Sequence, residues 1–328
     1  MGRTADNPVD VSVVIATRNR AASLAGTLRA LLDQESGSPY EIVVADNGST
    51  DETARVVEAA AARGRVPVTY VREDRPGKPF ALNAATARAR GRLVAFTDDD
   101  VLPSRRWLAA LARAFEREGA DFVAGRIVPL WEAPPPAWLS PALYGVLGTP
   151  DAGIERRRIR ADENEHIMPI GANMAVRRAV LDRIGGWDPD LGKLEGTLRT
   201  GEDHDLFCRM LAAGFAGVYE PEALVHHRVP ADRLRRSYFR RWFYGNGAVI
   251  AALDRRYARA VPYLLGVPRY LWRQATRAVL DLVVGSVTGD APRAAAGEMR
   301  VVWFAGYLRA AWSRRPGRLA GPLAPRAA

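Results

Sequence analysis

The sequence predicts an α/β fold in which a largely parallel sheet is covered by helices. Two patterns carry this. From Val11 onward, short β-branched runs alternate with longer stretches whose apolar residues recur at helical spacing. With 48% hydrophobic residues in a chain of 328, there is also material for a sizeable core.

Residues 11–16 and 41–45 read as the first two strands, too short for helices. Between them Leu24, Leu28, Leu31 and Leu32 mark a helix, giving one right-handed strand-helix-strand unit. Ser49 followed by Glu52 reads as a capping box opening a helix through Ala62, and residues 66–71 supply a third strand. Residues 78–90 are alanine-rich and helical, 93–96 form a buried strand, and Ser104 caps a helix that runs to Glu118. Residues 129–141 carry Pro134, Pro135 and Pro136 between Trp131 and Trp138, which excludes regular helix or central strand and leaves a lid-like or connecting loop. A charged stretch, 155–165, precedes a second block of helix-strand alternation at 167–227. Beyond Ala231 the chain is rich in arginine, tryptophan and tyrosine. The expected organisation is therefore 9–230 as one domain with halves at 9–128 and 129–230, a helical extension at 231–313, and a flexible tail at 314–328.

A formal charge of +10 favours an anionic partner: a phosphate-bearing substrate, an acidic membrane surface or nucleic acid. Charge alone does not choose among them. The single cysteine, Cys208, excludes an internal disulfide framework, fits a reducing compartment and reads as a small core residue. Residues 1–10 are short and polar, unlike a signal or transit peptide, so the expected location is the cytoplasm. No apolar stretch reaches the roughly 20 residues of a membrane span, so membrane contact is expected only from the surface.

The most informative feature is Thr97-Asp98-Asp99-Asp100 directly after the buried run 93–96. Adjacent carboxylates repel one another, and a fold that holds them at the end of a buried strand normally supplies a cation. On an extended backbone Asp98 and Asp100 point the same way, giving two oxygen ligands for magnesium or manganese with diphosphate oxygens completing the shell. The carboxyl ends of strands in open α/β sheets are also where ligands bind. The alternative is a solvated acidic turn. Asp46-Asn47-Gly48-Ser49-Thr50-Asp51 ends the second strand in an equivalent place: Asn-Gly supports a tight turn, and Asp46 is suited to accept hydrogen bonds from a nucleobase or ribose, a turn with a helix cap being the alternative.

With both segments in view, the chain resembles family 2 glycosyltransferases of the GT-A fold. The matching pieces are Ser12 through Arg20, the Asp46 turn, Gly77-Lys78 with Ala81-Leu82-Asn83, and Asp98 to Asp100. Downstream come Gly171-Ala172-Asn173-Met174-Ala175, Gly201-Glu202-Asp203-His204-Asp205-Leu206 and His227-Arg228-Val229-Pro230. The resemblance implies a metal-dependent inverting transfer from a nucleotide-diphosphate sugar to an acceptor hydroxyl; a membrane-bound tail, considered below, would make a lipid-linked or cell-envelope glycan the simplest acceptor. It implies that Thr17, Arg18 and Asp46 line the nucleoside pocket, that Lys78, Asn83, Asp98 and Asp99 lie at the nucleotide, and that Asp98 and Asp100 hold manganese or magnesium. Asp203 becomes the catalytic base with Glu202 beside it, His227 a metal or diphosphate contact, and Asn173 an acceptor sugar contact. The chemistry agrees: a single in-line displacement needs one carboxylate to take the hydroxyl proton and no covalent nucleophile. Asp205 and Arg209 follow at helical spacing, so a salt-bridged helix start is the alternative for Asp203. The adjacent His226 and His227 point to opposite faces of a strand, so only one reaches the site.

In the tail, Arg269, Arg273 and Arg277 recur every fourth residue in a helix expected at 268–284, and 298–312 is a second helix rich in aromatic residues. Such helices lie in an anionic membrane interface, or else pack on the domain or form a dimer contact. A nucleic-acid-binding protein is disfavoured, because the carboxylates cluster where phosphate would be repelled and no binding module is recognisable. A pyrophosphorylase would need a glycine-rich loop where Thr17-Arg18-Asn19-Arg20 stands, and an inactive scaffold would not need Asp98, Asp100 and Asp203 intact. The donor base and sugar stay open.

Overall fold

The computed structural model describes residues 9–161, 167–192, 200–257 and 261–313. The tail expected at 314–328, and residues 162–165 of the charged stretch, lie outside the described residues. The described residues form two compact units. The chain up to Leu130, Gly148–Pro189 and Glu202–Arg228 build the first; Trp131–Leu147, Asp190–Gly201 and the chain from Val229 build the second.

In the first unit the elements run β1 (Val11–Thr17), α1 (Ala21–Leu32), β2 (Tyr40–Asp46), α2 (Thr53–Ala61), β3 (Val68–Arg72), α3 (Lys78–Arg88), β4 (Leu93–Asp98), β5 (Val101–Pro103), α4 (Trp107–Glu118) and β6 (Phe122–Trp131). They continue with β7 (Arg157–Ile159), β8 (Asn173–Arg177), α5 (Arg178–Ile184), α6 (Glu202–Ala212) and β9 (Gly217–Val229). The sheet order is β3-β2-β1-β4-β8-β6-β9-β5, with β7 against β9. The strands β3, β2, β1 and β4 are mutually parallel, as the strand-helix-strand reading predicts. Beyond β4 the β4-β8, β8-β6, β9-β5 and β9-β7 pairings are antiparallel. Both faces of β1, β2 and β4 are buried, while the edge strand β3 is partly exposed: Val11, Val13 and Ile15 pack with Leu24, Leu28 and Trp107 on one side, and Val14 packs with Leu82, Phe96 and Leu206 on the other.

Three local expectations are corrected. Helix α2 begins at Thr53, and the carboxylate that serves its first turn is Asp51, whose Oδ1 accepts from the Thr53 amide at 3.1 Å; Ser49 accepts instead from the Asn19 amide at 2.9 Å. Ser104 does not cap α4 with its side chain, and its carbonyl accepts from the Trp107 amide. Pro129 lies inside β6 rather than in a loop. β8 pairs with β6 only at Phe122, Val123 and Ala124, so the missing N–H at Pro129 breaks no bond of that ladder.

In the second unit, residues 131–147 do not belong with the 129–230 half expected from sequence. Leu139, Leu143, Val146 and Leu147 pack with Val229, Phe239, Ala295 and Met299, because the proline segment exposes an apolar edge that α7 (Arg236–Arg256) and the C-terminal helix cover. A short hairpin, β10 (Tyr263–Leu264) and β11 (Val267–Pro268), leads into α8 (Arg269–Thr288), and α9 (Ala291–Trp312) follows. Gly289 ends α8 in the left-handed conformation (φ 74°), and Asp290 caps α9 by accepting from the Arg293 amide at 3.0 Å. Gly297 lets α9 approach α8 closely, since a Cβ there would collide with the Leu282 backbone. Among the described residues, no helix is long and apolar enough to cross a membrane.

Candidate active site

The parallel strands deliver their carboxyl ends together. Thr17 pairs with Asp46 and Ala16 with Asp98, so β1, β2 and β4 stop along one edge. The chain then turns through Asp99 and Asp100 into β5. The Thr27 hydroxyl on α1 holds this turn by donating to the Asp99 and Val101 carbonyls at 3.0 and 2.8 Å. The β5–β9 register sets Val101 opposite His227 and Leu102 opposite His226, and the Arg228 amide donates to the Asp100 carbonyl at 3.0 Å. Alternation along β9 therefore buries His227 and leaves His226 half-buried.

The consequence is a compact donor set. Asp98, Asp100 and His227 each offer one ligand atom, all within 4.8 Å of one another, and His227 Nε2 lies 3.3 Å from Asp100 Oδ1. Two carboxylates and an imidazole suit manganese or magnesium, with manganese better matched to the nitrogen donor. Gly148 lies over the imidazole: a Cβ at that residue would sit 3.5 Å from His227 Nε2, and its φ of +72° strains any side chain.

Asp99 is not part of this set. Its Oδ2 accepts from the Thr17 hydroxyl at 2.7 Å and its Oδ1 pairs with Arg20 at 2.6 Å. Burial pushes the Asp99 carboxyl up to about 6 against the opposing pull of Arg20. The other guanidinium nitrogen of Arg20 reaches Asp100 Oδ2 at 2.9 Å, so one arginine spans two of the three adjacent carboxylates. Lys78 neutralises the third, with Nζ 2.6 Å from Asp98 Oδ1. Burial pulls Lys78 down, but Asp98, Asp203 and Glu202 outweigh it and hold the ammonium charged.

Asp203 and Glu202 open α6. The Gly171 amide donates to Asp203 Oδ2 at 3.0 Å, while Oδ1 is buried and has no hydrogen-bond partner among the described residues. Gly171 is packed on that oxygen, since a Cβ there would lie 3.1 Å from it. Burial, reinforced by the Glu202 charge and opposed by Lys78, raises the Asp203 carboxyl to about 7. The helix-start salt bridge goes elsewhere: Arg209 pairs with Asp205 at 2.8 Å, one turn apart.

The second-strand turn is braced internally. Asp46 is buried, its Oδ1 accepting from the Ser49 amide and its Oδ2 from the Tyr70 hydroxyl, both at 2.7 Å. Arg18 donates to the Asn47 carbonyl at 3.0 Å, and Asn47 Oδ1 accepts from the Gly77 amide at 2.8 Å, which ties this turn to the start of α3.

Two asparagines expected at the ligand make hydrogen bonds within the protein. Asn83 accepts from the Trp187 amide and donates to the Trp187 carbonyl, both at 2.8 Å. Asn173 is fully buried: Oδ1 accepts from the Trp107 indole at 2.7 Å and Nδ2 donates to the Arg126 and Ala223 carbonyls at 2.8 and 2.7 Å. With both amide hydrogens committed, it has nothing to offer a sugar. Asn173→Ala is expected to destabilise the protein by about 3 kcal/mol, read as a lower urea midpoint, because it removes the partner of the Trp107 indole and two bonds to backbone carbonyls. Sequence reading assigned no role to Arg20, Gly148, Gly171 or Tyr70, although Arg20 and Gly171 stand in the matching pieces; the signal for Arg20 was a second basic residue in the run Thr17-Arg18-Asn19-Arg20 facing the acidic triplet.

Comparison with known proteins is consistent with this geometry. Residues 12–185, more than half of the chain, match the profile of "Glycosyl transferase family 2". The succinoglycan biosynthesis protein ExoU of Rhizobium meliloti is 32% identical over 223 residues, covering 64% of this chain and 59% of that protein. The pre-mycofactocin glycosyltransferase of Mycobacterium tuberculosis is 33% identical over 247 residues, covering 74% of this chain and 48% of that protein. The chain thus spans about half to three fifths of the length of these relatives. Among solved structures, the mannosyltransferase PcManGT from Pyrobaculum calidifontis, in complex with GDP-Man and Mn2+, shares the fold with a TM-score of 0.65 at 21% identity, over 94% of this chain and 89% of that one. S. aureus TarS 1-349 in complex with UDP does so with a TM-score of 0.53 at 16% identity, over 91% and 89%.

Proposed function

The chain belongs to glycosyl transferase family 2, and from that premise we propose that it transfers a sugar, with inversion, from a nucleotide-diphosphate sugar to an acceptor hydroxyl. The observation that carries the reading is the pairing, in one unit, of the Asp98, Asp100 and His227 donor set with the buried Asp203 carboxylate, linked through Lys78. Asp203 Oδ1 takes the proton of the acceptor hydroxyl as that oxygen attacks the anomeric carbon. The bond from that carbon to the diphosphate oxygen breaks, and the electron pair leaves with the nucleotide diphosphate. Glu202 raises the proton affinity of Asp203, and the Gly171 amide fixes its orientation. Asp98, Asp100 and His227 would hold the divalent cation, which when bound offsets the charge of the departing diphosphate. Arg20 and Thr17 keep Asp99 out of the donor set.

The domain roles follow from the same reading. The first unit carries the donor site and the base, and the acceptor is a lipid-linked or cell-envelope glycan, a class supported by the succinoglycan-related similarity. Thermal shift against UDP, GDP, dTDP, CDP and ADP, each with and without manganese, tests the donor site. One diphosphate is expected to raise the melting temperature by several degrees only when manganese is present. Folded protein that responds to none of them would refute the reading.

A further inference from the structure

We propose that the outward face of α8, together with the tip of the β10–β11 hairpin and Trp312, is a docking surface for an anionic lipid bilayer. The inference does not depend on the transfer reading, because it rests on the second unit alone.

Helix α8 satisfies its packing with one side. Leu271, Ala278 and Gly285 are buried, and α9 covers them. The opposite side keeps large apolar residues in water: Leu280 is 57% exposed, Val283 52% and Val287 82%. Their spacing of three and four residues places them in one stripe, and Val279 widens it. At the other end of the helix the hairpin turns through Leu265 (φ 53°) and Gly266, leaving Tyr263, Leu264 and Leu265 exposed. Trp312 joins that tip: its indole donates to the Leu265 carbonyl at 2.9 Å, and its ring lies 6.5 Å from Trp272. Twenty residues of helix span about 30 Å, so the two apolar groups are separated along the surface.

Between and beside them stand the exposed Arg269, Arg273 and Arg277. Among the described residues no carboxylate pairs with these three guanidinium groups, and Asp281, the acidic residue of the helix, is engaged by Arg293 at 2.9 Å and Arg300 at 3.5 Å across to α9. A stripe of valine and leucine, arginines along its edge with apolar stems and charged heads, and tryptophan and tyrosine at one end is the composition that settles at the boundary between headgroups and acyl chains. Charge complementarity selects the occupant. A second copy would bring three more guanidinium groups to a face whose acidic residue is already paired, whereas anionic headgroups meet them directly.

The test uses the full chain in vesicle flotation, with phosphatidylglycerol-containing vesicles against pure phosphatidylcholine, at low and high salt. Binding to the anionic vesicles, weakened by salt, is expected. The exposed positions tolerate substitution without loss of fold, so V283D combined with V287D, and separately R273Q combined with R277Q, should each weaken binding by at least about tenfold with unchanged circular dichroism. Vesicle binding that is absent, or that neither double variant alters, overturns the proposal. Light scattering on the same samples supplies the other contrary outcome: a dimer that V283D with V287D dissolves gives the face to a second copy. Manganese-dependent nucleotide binding is read in parallel, so failure of the donor site is distinguished from failure of the surface.

Discussion

Asp203→Asn is expected to lower the rate of sugar transfer by about 10²- to 10⁴-fold while leaving nucleotide-diphosphate binding in place. The amide keeps the shape of the carboxylate and an oxygen for the Gly171 amide, but it cannot take a proton. In the unsubstituted protein, the carboxyl is raised to about 7 by burial and by Glu202, so the rate should climb with pH through that value and level off above it; the variant should show no such limb. Stability moves the opposite way. Because the folded pKa lies above the ordinary 3.8, the native state holds this proton more tightly than the unfolded chain, and the favourable contribution is complete below about pH 4 and lost as pH rises through 7. Asp203→Asn should therefore be more stable than the unsubstituted protein at pH 8, by ~2 kcal/mol, and nearly equal to it at pH 4. Urea midpoints at the two pH values, with initial rates across the range, check both halves. A variant less stable at pH 8 would make the ionised carboxylate a structural group and remove it as the base.

The parts of this site that were legible in the sequence are those set by the chain's own period. Asp98 and Asp100 do meet, as the sequence predicts, although Asp99 and Asp100 form a turn held by Thr27 rather than the extended backbone expected there. His227 rather than His226 joins them because strand alternation permits only one, although the register that brings β9 to β5 is tertiary. The parallel half of the sheet was legible for the same reason, its β-branched runs being buried on both faces. What escaped were side-chain destinations fixed by distant segments. Asn83 is claimed by Trp187 and Asn173 by Trp107, partners 104 and 66 residues away, and an asparagine in a matching motif looks the same whether it meets a sugar or a backbone. Lys78 suits a diphosphate by charge, yet in the fold its ammonium is given to Asp98. The loop expected at 129–141 is met only from 132 to 140, and nothing in the prolines says that Phe239 and Met299 will cover the apolar residues that follow.

Removing Asp100 is the substitution with the largest expected effect on the donor site. Its two oxygens serve different neighbours, Oδ1 facing His227 Nε2 at 3.3 Å and Oδ2 paired with Arg20 at 2.9 Å. Asp100→Ala takes one ligand atom out of a set of three and also leaves Arg20 with Asp99 alone, so the turn loses a negative charge while the arginine keeps its positive one. Both changes disfavour a cation. The manganese-dependent thermal shift with the donor diphosphate should vanish, corresponding to an affinity loss of more than about 100-fold. His227→Ala removes a neutral ligand and leaves the charge of the set intact, so its loss should be smaller, about tenfold. Asp100→Asn separates the two causes, since the amide oxygen can still accept from Arg20 but carries no charge; it should resemble Asp100→Ala in manganese affinity and the unsubstituted protein in urea midpoint. Calorimetric titration of manganese into the three variants measures the order directly. Equal affinities in Asp100→Ala and the unsubstituted protein would assign the acidic turn to ion pairing with Arg20 and Lys78, and the diphosphate would then have to be met by cationic side chains instead of a metal.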